Sequence, residues 1–190
     1  KPKWMEKEDM RGWVTAEYSL LPTSTSTRCQ RERSKVSGRT QEIQRLIGRA
    51  LRSCVDLEKL GERTIIIDAD VIQADGGTRC ASICGGFVAL SIAINKLIKE
   101  GKLEQSPIIE PIAAVSAGIY DGEVILDLNY IEDSHAQVDS NAVMTQSGKV
   151  IEFQTTAEGA PYDIEKMNEI VELSKGAIKK IISLYPNTEV

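Results

Sequence analysis

The sequence predicts an α+β fold, with helices packed on one mixed or mostly antiparallel sheet. Three observations point there. A β-branched run feeds a Gly-rich turn and a long apolar helical pattern, four strand-like runs then follow in succession, and an amphipathic helix closes the chain. At 190 residues the chain has the length of one domain with a full hydrophobic core, and 1–190 is read as a single unit.

Taken in order, Gly12 to Leu20 carries β-branched and aromatic residues in imperfect alternation and reads as a strand ended by Pro22. Thr23 to Gly38 is polar, basic and rich in Ser and Thr; with almost nothing apolar to bury, it predicts a mobile excursion. From Thr40, taken as N-cap, Ile43, Leu46, Ile47, Ala50, Leu51, Cys54 and Val55 follow helical spacing towards a stop at Gly61. Thr64 to Val71 reads as a strand buried on both faces. Cys80 to Lys99 is a central helix closed by Gly101. Ile112 to Tyr120 and Glu123 to Leu128 flank Asp121-Gly122, a short hairpin signal. Ala136 to Thr145 and Lys149 to Thr156 are strands joined through Gln146-Ser147-Gly148, and Ile164 to Leu184 is the last helix. No internal repeat or low-complexity tract interrupts this order.

No apolar stretch approaches the roughly 20 residues of a membrane helix, and no basic-then-apolar leader precedes Trp4, which predicts a soluble, cytoplasmic protein without membrane attachment. The four cysteines lack CxxC spacing, and Cys80 and Cys84 stand one helical turn apart, so buried thiols are expected in place of disulfides or zinc. The net charge of −5 is unevenly spread. Between residues 28 and 52, Arg28, Arg31, Arg33, Lys35, Arg39, Arg45, Arg49 and Arg52 outnumber Glu32 and Glu42, leaving a basic arm on an acidic body. Such an arm fits a polyanionic partner, or a solvated helix face.

Two local patterns carry chemistry. Gln73-Ala74-Asp75-Gly76-Gly77-Thr78-Arg79 joins strand to helix. Its glycines permit close backbone approach, the helix start offers free N–H groups, and a hydroxyl and a guanidinium add charge-assisted bonds. Phosphate is the natural guest; an ordinary Gly-rich connection is the alternative. Further on, Asp127, Glu132, Asp133 and Asp139 crowd a strand end, and a turn at Ser134-His135-Ala136 brings Asp133 and Asp139 together. Two close acids bind a metal or push one pKa upward, unless they form a solvated acidic turn.

With Ser37-Gly38-Arg39-Thr40, these patterns make the chain resemble the RNase PH family. The likeness runs nearly end to end: GWVTAEYSLLP at 12–22, GRTQEIQRLIGRALR at 38–52, DLEKLGERTI at 56–65, QADGGTR at 73–79, AAVSAGI at 113–119 and TTAEG at 155–159. The resemblance implies a βαβ-containing domain, similar to the ribosomal protein second-domain-like fold. It implies a reversible, phosphate-dependent 3′→5′ exoribonuclease, or tRNA nucleotidyltransferase, that trims tRNA precursors and releases nucleoside diphosphates. By likeness Arg39, Gly77, Thr78 and Arg79 bind the attacking phosphate, Asp133 and Asp139 hold Mg²⁺, and Arg79 acts in catalysis with the two acids. Arg28, Arg31, Arg33 and Lys35 match the family's basic RNA-binding loop, and a hexameric ring built as a trimer of dimers is implied. His135 reads as a plain turn residue.

The chain departs from the family in places. The family carries about 45 earlier residues with strands that complete the sheet edge, which are absent before Lys1. The basic loop is slightly short, with Ser26 where histidine is common. Thr155 replaces a glycine, which is expected to shift the backbone there, and Asn129 replaces a frequent acid. The alternative from another class is a noncatalytic RNA-binding subunit of an exosome-like ring, which would be expected to lose the phosphate arginine or the acids. A P-loop kinase is disfavoured by the lack of Gly-Lys-Ser/Thr.

Overall fold

The computed structural model describes residues 5–6, 9–32 and 34–186. The elements run β1 (Trp13–Leu20), α1 (Gly38–Ser53), α2 (Leu57–Leu60), β2 (Thr64–Val71), α3 (Thr78–Lys99), β3 (Ile112–Tyr120), β4 (Glu123–Leu126), α4 (Tyr130–His135), β5 (Val138–Thr145), β6 (Val150–Ala157) and α5 (Ile164–Ser183). The α+β class and the order of the long elements are as the sequence predicts. The single sheet is not: β1 and β2 form a two-stranded parallel sheet, and β4-β3-β5-β6 form a separate antiparallel one. Helices α1 and α3 lie between them, with α1 against β1 and α3 against both β2 and β3.

The strand covered on both faces is β3, not β2. Eight of the nine β3 residues are buried, because its residues alternate between two cores. Ile112 and Ala114 join the core shared with α1 and α3, whereas Ala113 and Val115 face Ile178 and Ile182 of α5. In β2 only Ile67 is buried, and Ile66 is 54% exposed. Small residues let β3 sit close to its neighbours: a Cβ on Gly118 would strike the carbonyl oxygen of Val138.

Helix α3 is the central element. Its 22 residues are long and apolar enough to cross a membrane by length and composition, which overturns the expectation that no stretch reaches that length. Its inward positions are spent on packing: Ile83, Phe87, Leu90 and Ile94 are fully buried. Phe87 stacks on Tyr185 at 5.5 Å between ring centroids, and Tyr185 donates its hydroxyl hydrogen to the Ile112 carbonyl. Burial of one such side chain contributes about 1.5–3 kcal/mol.

Smaller corrections have local causes. Ser37, not Thr40, caps α1, because its side chain accepts from the Thr40 N–H. Asp56 caps a short α2 in the same way, and Gly61, at φ 66°, closes α2 and not α1. The Asp121-Gly122 hairpin forms with positive φ at both residues, as I′ turns require. Thr155 keeps register with Ser140, and the irregularity of this strand pair lies at Val143/Met144. The Thr155 hydroxyl bonds Ser140 and Tyr162, which fixes it inside the ladder.

The segment from Thr23 is only partly an excursion. Ser24 is buried and its carbonyl accepts from the Ala74 N–H, which pins the start of the segment to the Gly-rich turn. The basic arm is divided as well. Arg49 pairs with Glu152 at 2.9 Å, while Arg52 donates to the Val14 carbonyl and stacks over Trp13, so those two charges serve the fold. All four cysteines are free thiols, with Cys54 and Cys80 buried.

Candidate active site

A cavity of about 1010 Å³ opens where the N-terminus of α3 faces α4 and β5. Its lining includes Arg39, Gly77, Thr78, Arg79, Asp133 and Asp139. The sequence-predicted phosphate residues and acids therefore share one cleft.

The phosphate side is built by backbone first. Gly76 and Gly77 take φ of 73° and 56°, conformations that side chains resist. A Cβ on Gly76 would also run into the Leu128 carbonyl oxygen. The turn thus presses against the segment between β4 and α4, and Asp75 strengthens the link by accepting from the Tyr130 N–H at 3.0 Å. Side chains cap α1, α2 and α4, whereas α3, like α5, has no side-chain cap. The first-turn N–H groups of α3 have no intrahelical acceptor and are the kind of donors an anion can engage.

Side chains are then fixed around that helix end. The buried Tyr18 hydroxyl and Thr78 Oγ1 lie 2.8 Å apart in a hydrogen bond. Arg79 Nη1 lies 3.5 Å from Glu42 Oε1 and donates over 3.5 Å to Gln154 Oε1.

Opposite stand the acids. The expected turn at Ser134–Ala136 is the end of helix α4, nucleated by a capping box in which Asn129 accepts from the Ile131 and Glu132 N–H groups and Glu132 reaches back. The substitution noted at Asn129 is therefore a helix cap. Burial pushes the Asp139 carboxyl above its usual range, Asp133 adds to the rise, and Arg79 opposes it. The two acids thus repel within a partly desolvated wall. His135 bonds the Ile131 carbonyl and Ser134 inside α4, in keeping with a structural role.

Among the described residues no three acids, histidines or cysteines converge as a metal cage. Two carboxylates plus substrate phosphate oxygens are the set that magnesium commonly uses, and the strain on Asp139 is the kind a cation relieves. The residues present fit the ion.

The basic segment is not brought to the cleft. Arg28, Arg31 and Lys35 are exposed and do not line the cavity, which takes Thr23 to Thr27 instead; Arg33 lies outside the described residues. Sequence reasoning assigned no role to Glu42, Tyr130, Gln154 and Ser116. The last was legible as a lone hydroxyl in the apolar run 112–119.

Residues 1–94 match the model of the 3′ exoribonuclease family, domain 1, and residues 110–177 match that of domain 2. The chain belongs to the 3′ exoribonuclease family. It is 58% identical over 179 residues to Ribonuclease PH of Neisseria gonorrhoeae (strain NCCP11945), covering 93% of this chain and 74% of that protein. With Ribonuclease PH of Crocosphaera subtropica the identity is 57% over 174 residues, covering 92% and 72%. The fold is similar to a solved structure of the Archaeoglobus fulgidus exosome with RNA bound to the active site, with a TM-score of 0.74 and 19% identity, covering 95% of this chain and 74% of that one.

Proposed function

We propose that this chain is a phosphate-dependent 3′→5′ exoribonuclease that trims the 3′ ends of tRNA precursors and other structured RNA, releasing nucleoside diphosphates in a reversible reaction. The observation that carries the reading is the shared cavity, with the N-terminus of α3, Arg39 and Arg79 on one side and the Asp133 and Asp139 carboxylates on the other. Attack of phosphate on a phosphodiester joins two anions. Arg39, Arg79, the Thr78 hydroxyl and the first-turn N–H groups of α3 offset that repulsion and aim the nucleophile. Asp133 and Asp139 hold Mg²⁺, which when bound supplies positive charge for the leaving 3′ oxygen.

The exposed Arg28, Arg31 and Lys35 engage the RNA backbone away from the reacting bond, through contacts that weaken as salt rises. Arg33 is proposed for the same role on sequence alone. Assembly into a hexameric ring, a trimer of dimers, and a cytoplasmic location complete the reading. No observation favours a noncatalytic ring subunit, since Arg79, Asp133 and Asp139 are all present in one cleft.

Incubation with a 3′-extended tRNA precursor and Mg²⁺, with and without inorganic phosphate, tests the function. Diphosphates released only with phosphate support it, whereas monophosphates released without phosphate sink it.

A further inference from the structure

Beneath the first turn of α3 the antiparallel sheet carries a row of three uncharged polar residues. Ser116, Asn141 and Gln154 are register partners across β3, β5 and β6, so their side chains share one face. Each meets a different residue of the helix end. Ser116 Oγ stands 3.5 Å from where a Cβ on Gly77 would be, the Cys80 thiol donates to Asn141 Oδ1 at 3.3 Å, and Arg79 donates to Gln154. Ser116 and Asn141 also line the cleft, whereas Gln154 does not and reaches it through Arg79.

Two members of the row have unused hydrogen-bonding capacity. Ser116 is 3% exposed and its hydroxyl has no partner among the described residues. A buried hydroxyl left unpaired costs on the order of 1–3 kcal/mol, which an arriving acceptor relieves. Asn141 is 7% exposed. Burial keeps the Cys80 thiol protonated, so it donates to the amide oxygen and leaves the amide N–H pair for the cleft.

We propose that Ser116 and Asn141 form a neutral floor of the phosphate subsite, both donating hydrogen bonds to oxygens of bound inorganic phosphate, with Cys80 positioning Asn141. The assignment rests on the phosphate-dependent reading above. Neutral donors suit the place: Asp139 and Asn141 are alternate residues on one face of β5, and a lysine in place of Asn141 would be drawn into an ion pair with Asp139. An amide holds an anion beside an acid without being neutralised by it.

The test is calorimetric titration of inorganic phosphate into the full chain and its Ser116→Ala, Asn141→Ala, Asn141→Asp and Cys80→Ala variants, alongside the KM for phosphate and for RNA. Ser116→Ala and Asn141→Ala should each weaken phosphate binding by about 10–100-fold, the loss of one hydrogen bond from a neutral donor to a charged acceptor, with the RNA KM unchanged. The nearly isosteric Asn141→Asp should weaken phosphate more than Asn141→Ala, because it sets a second anion against the ligand. Cys80→Ala, which touches no ligand, should weaken it less. Variants that keep the wild-type melting temperature and full phosphate affinity overturn the proposal, as does a parallel fall in phosphate and RNA affinity. Failure of the wild-type chain to bind phosphate at all would instead remove the underlying functional reading, and this one with it.

Discussion

Arg79 and Arg31 carry the same guanidinium in opposite settings. Arg79 opens the central helix α3, has only 22% of its side chain exposed, and has Glu42 and Gln154 within reach. Arg31 sits in a segment without helix or strand, exposed to solvent. A group that must stabilise charge at one bond gains from being set in advance, since no reorganisation is then needed during reaction. A group that follows a variable RNA backbone gains from adjustability. On the proposed function, the difference assigns phosphate and RNA to separate means of recognition within one chain.

Several substitutions break or sharpen that contrast. Arg79→Ala should lower turnover by roughly 10²-fold or more, the scale of losing a preorganised transition-state contact, as read by single-turnover trimming. Asp139→Asn belongs with it in lost activity but has the opposite sign in stability. Burial and Asp133 raise the Asp139 carboxyl in the folded chain, so its ionised form costs stability at neutral pH, and the cost fades as the folded chain takes up the proton on acidification. Thermal melts without metal should find the Asp139→Asn variant more stable than the wild type near neutrality, with an advantage that narrows as pH falls.

Gly76→Ala should come next. It places a Cβ against the Leu128 carbonyl at a positive φ, a strain on the order of 1–3 kcal/mol, visible as a lower melting temperature together with a raised phosphate KM. The smallest effects belong to Arg28→Ala, Arg31→Ala and Lys35→Ala. Each should reduce the slope of log RNA affinity against log salt by about 0.7 and leave turnover on a saturating short oligonucleotide unchanged.

Much of this was legible in the chain itself. The β-branched run to Val71, the glycine turn and the hairpin at Asp121-Gly122 carry local signals strong enough to fix their elements. The division into two sheets was not legible, because strand patterns do not state which edges pair. Nor was the twice-buried strand: Ile65 to Ile67 look more like core than Ala113 and Ala114, yet coverage by α3 and α5 decides the matter. Helix α4 was missed because six residues give too little periodicity, although Asn129 and Glu132 spell its capping box. In the cleft, charged and glycine positions stood out. The neutral partners Ser116 and Gln154 acquire meaning only through cross-strand register with Asn141.

The most direct measurement supplies radiolabelled inorganic phosphate with unlabelled RNA to the wild-type chain and to Arg79→Ala. The expected result is label in the β-phosphate of the released nucleoside diphosphate for the wild type, and at least roughly 10²-fold slower labelling for the variant. Unlabelled nucleoside monophosphate as the product, or labelling at the wild-type rate without Arg79, would contradict the role given to that helix end.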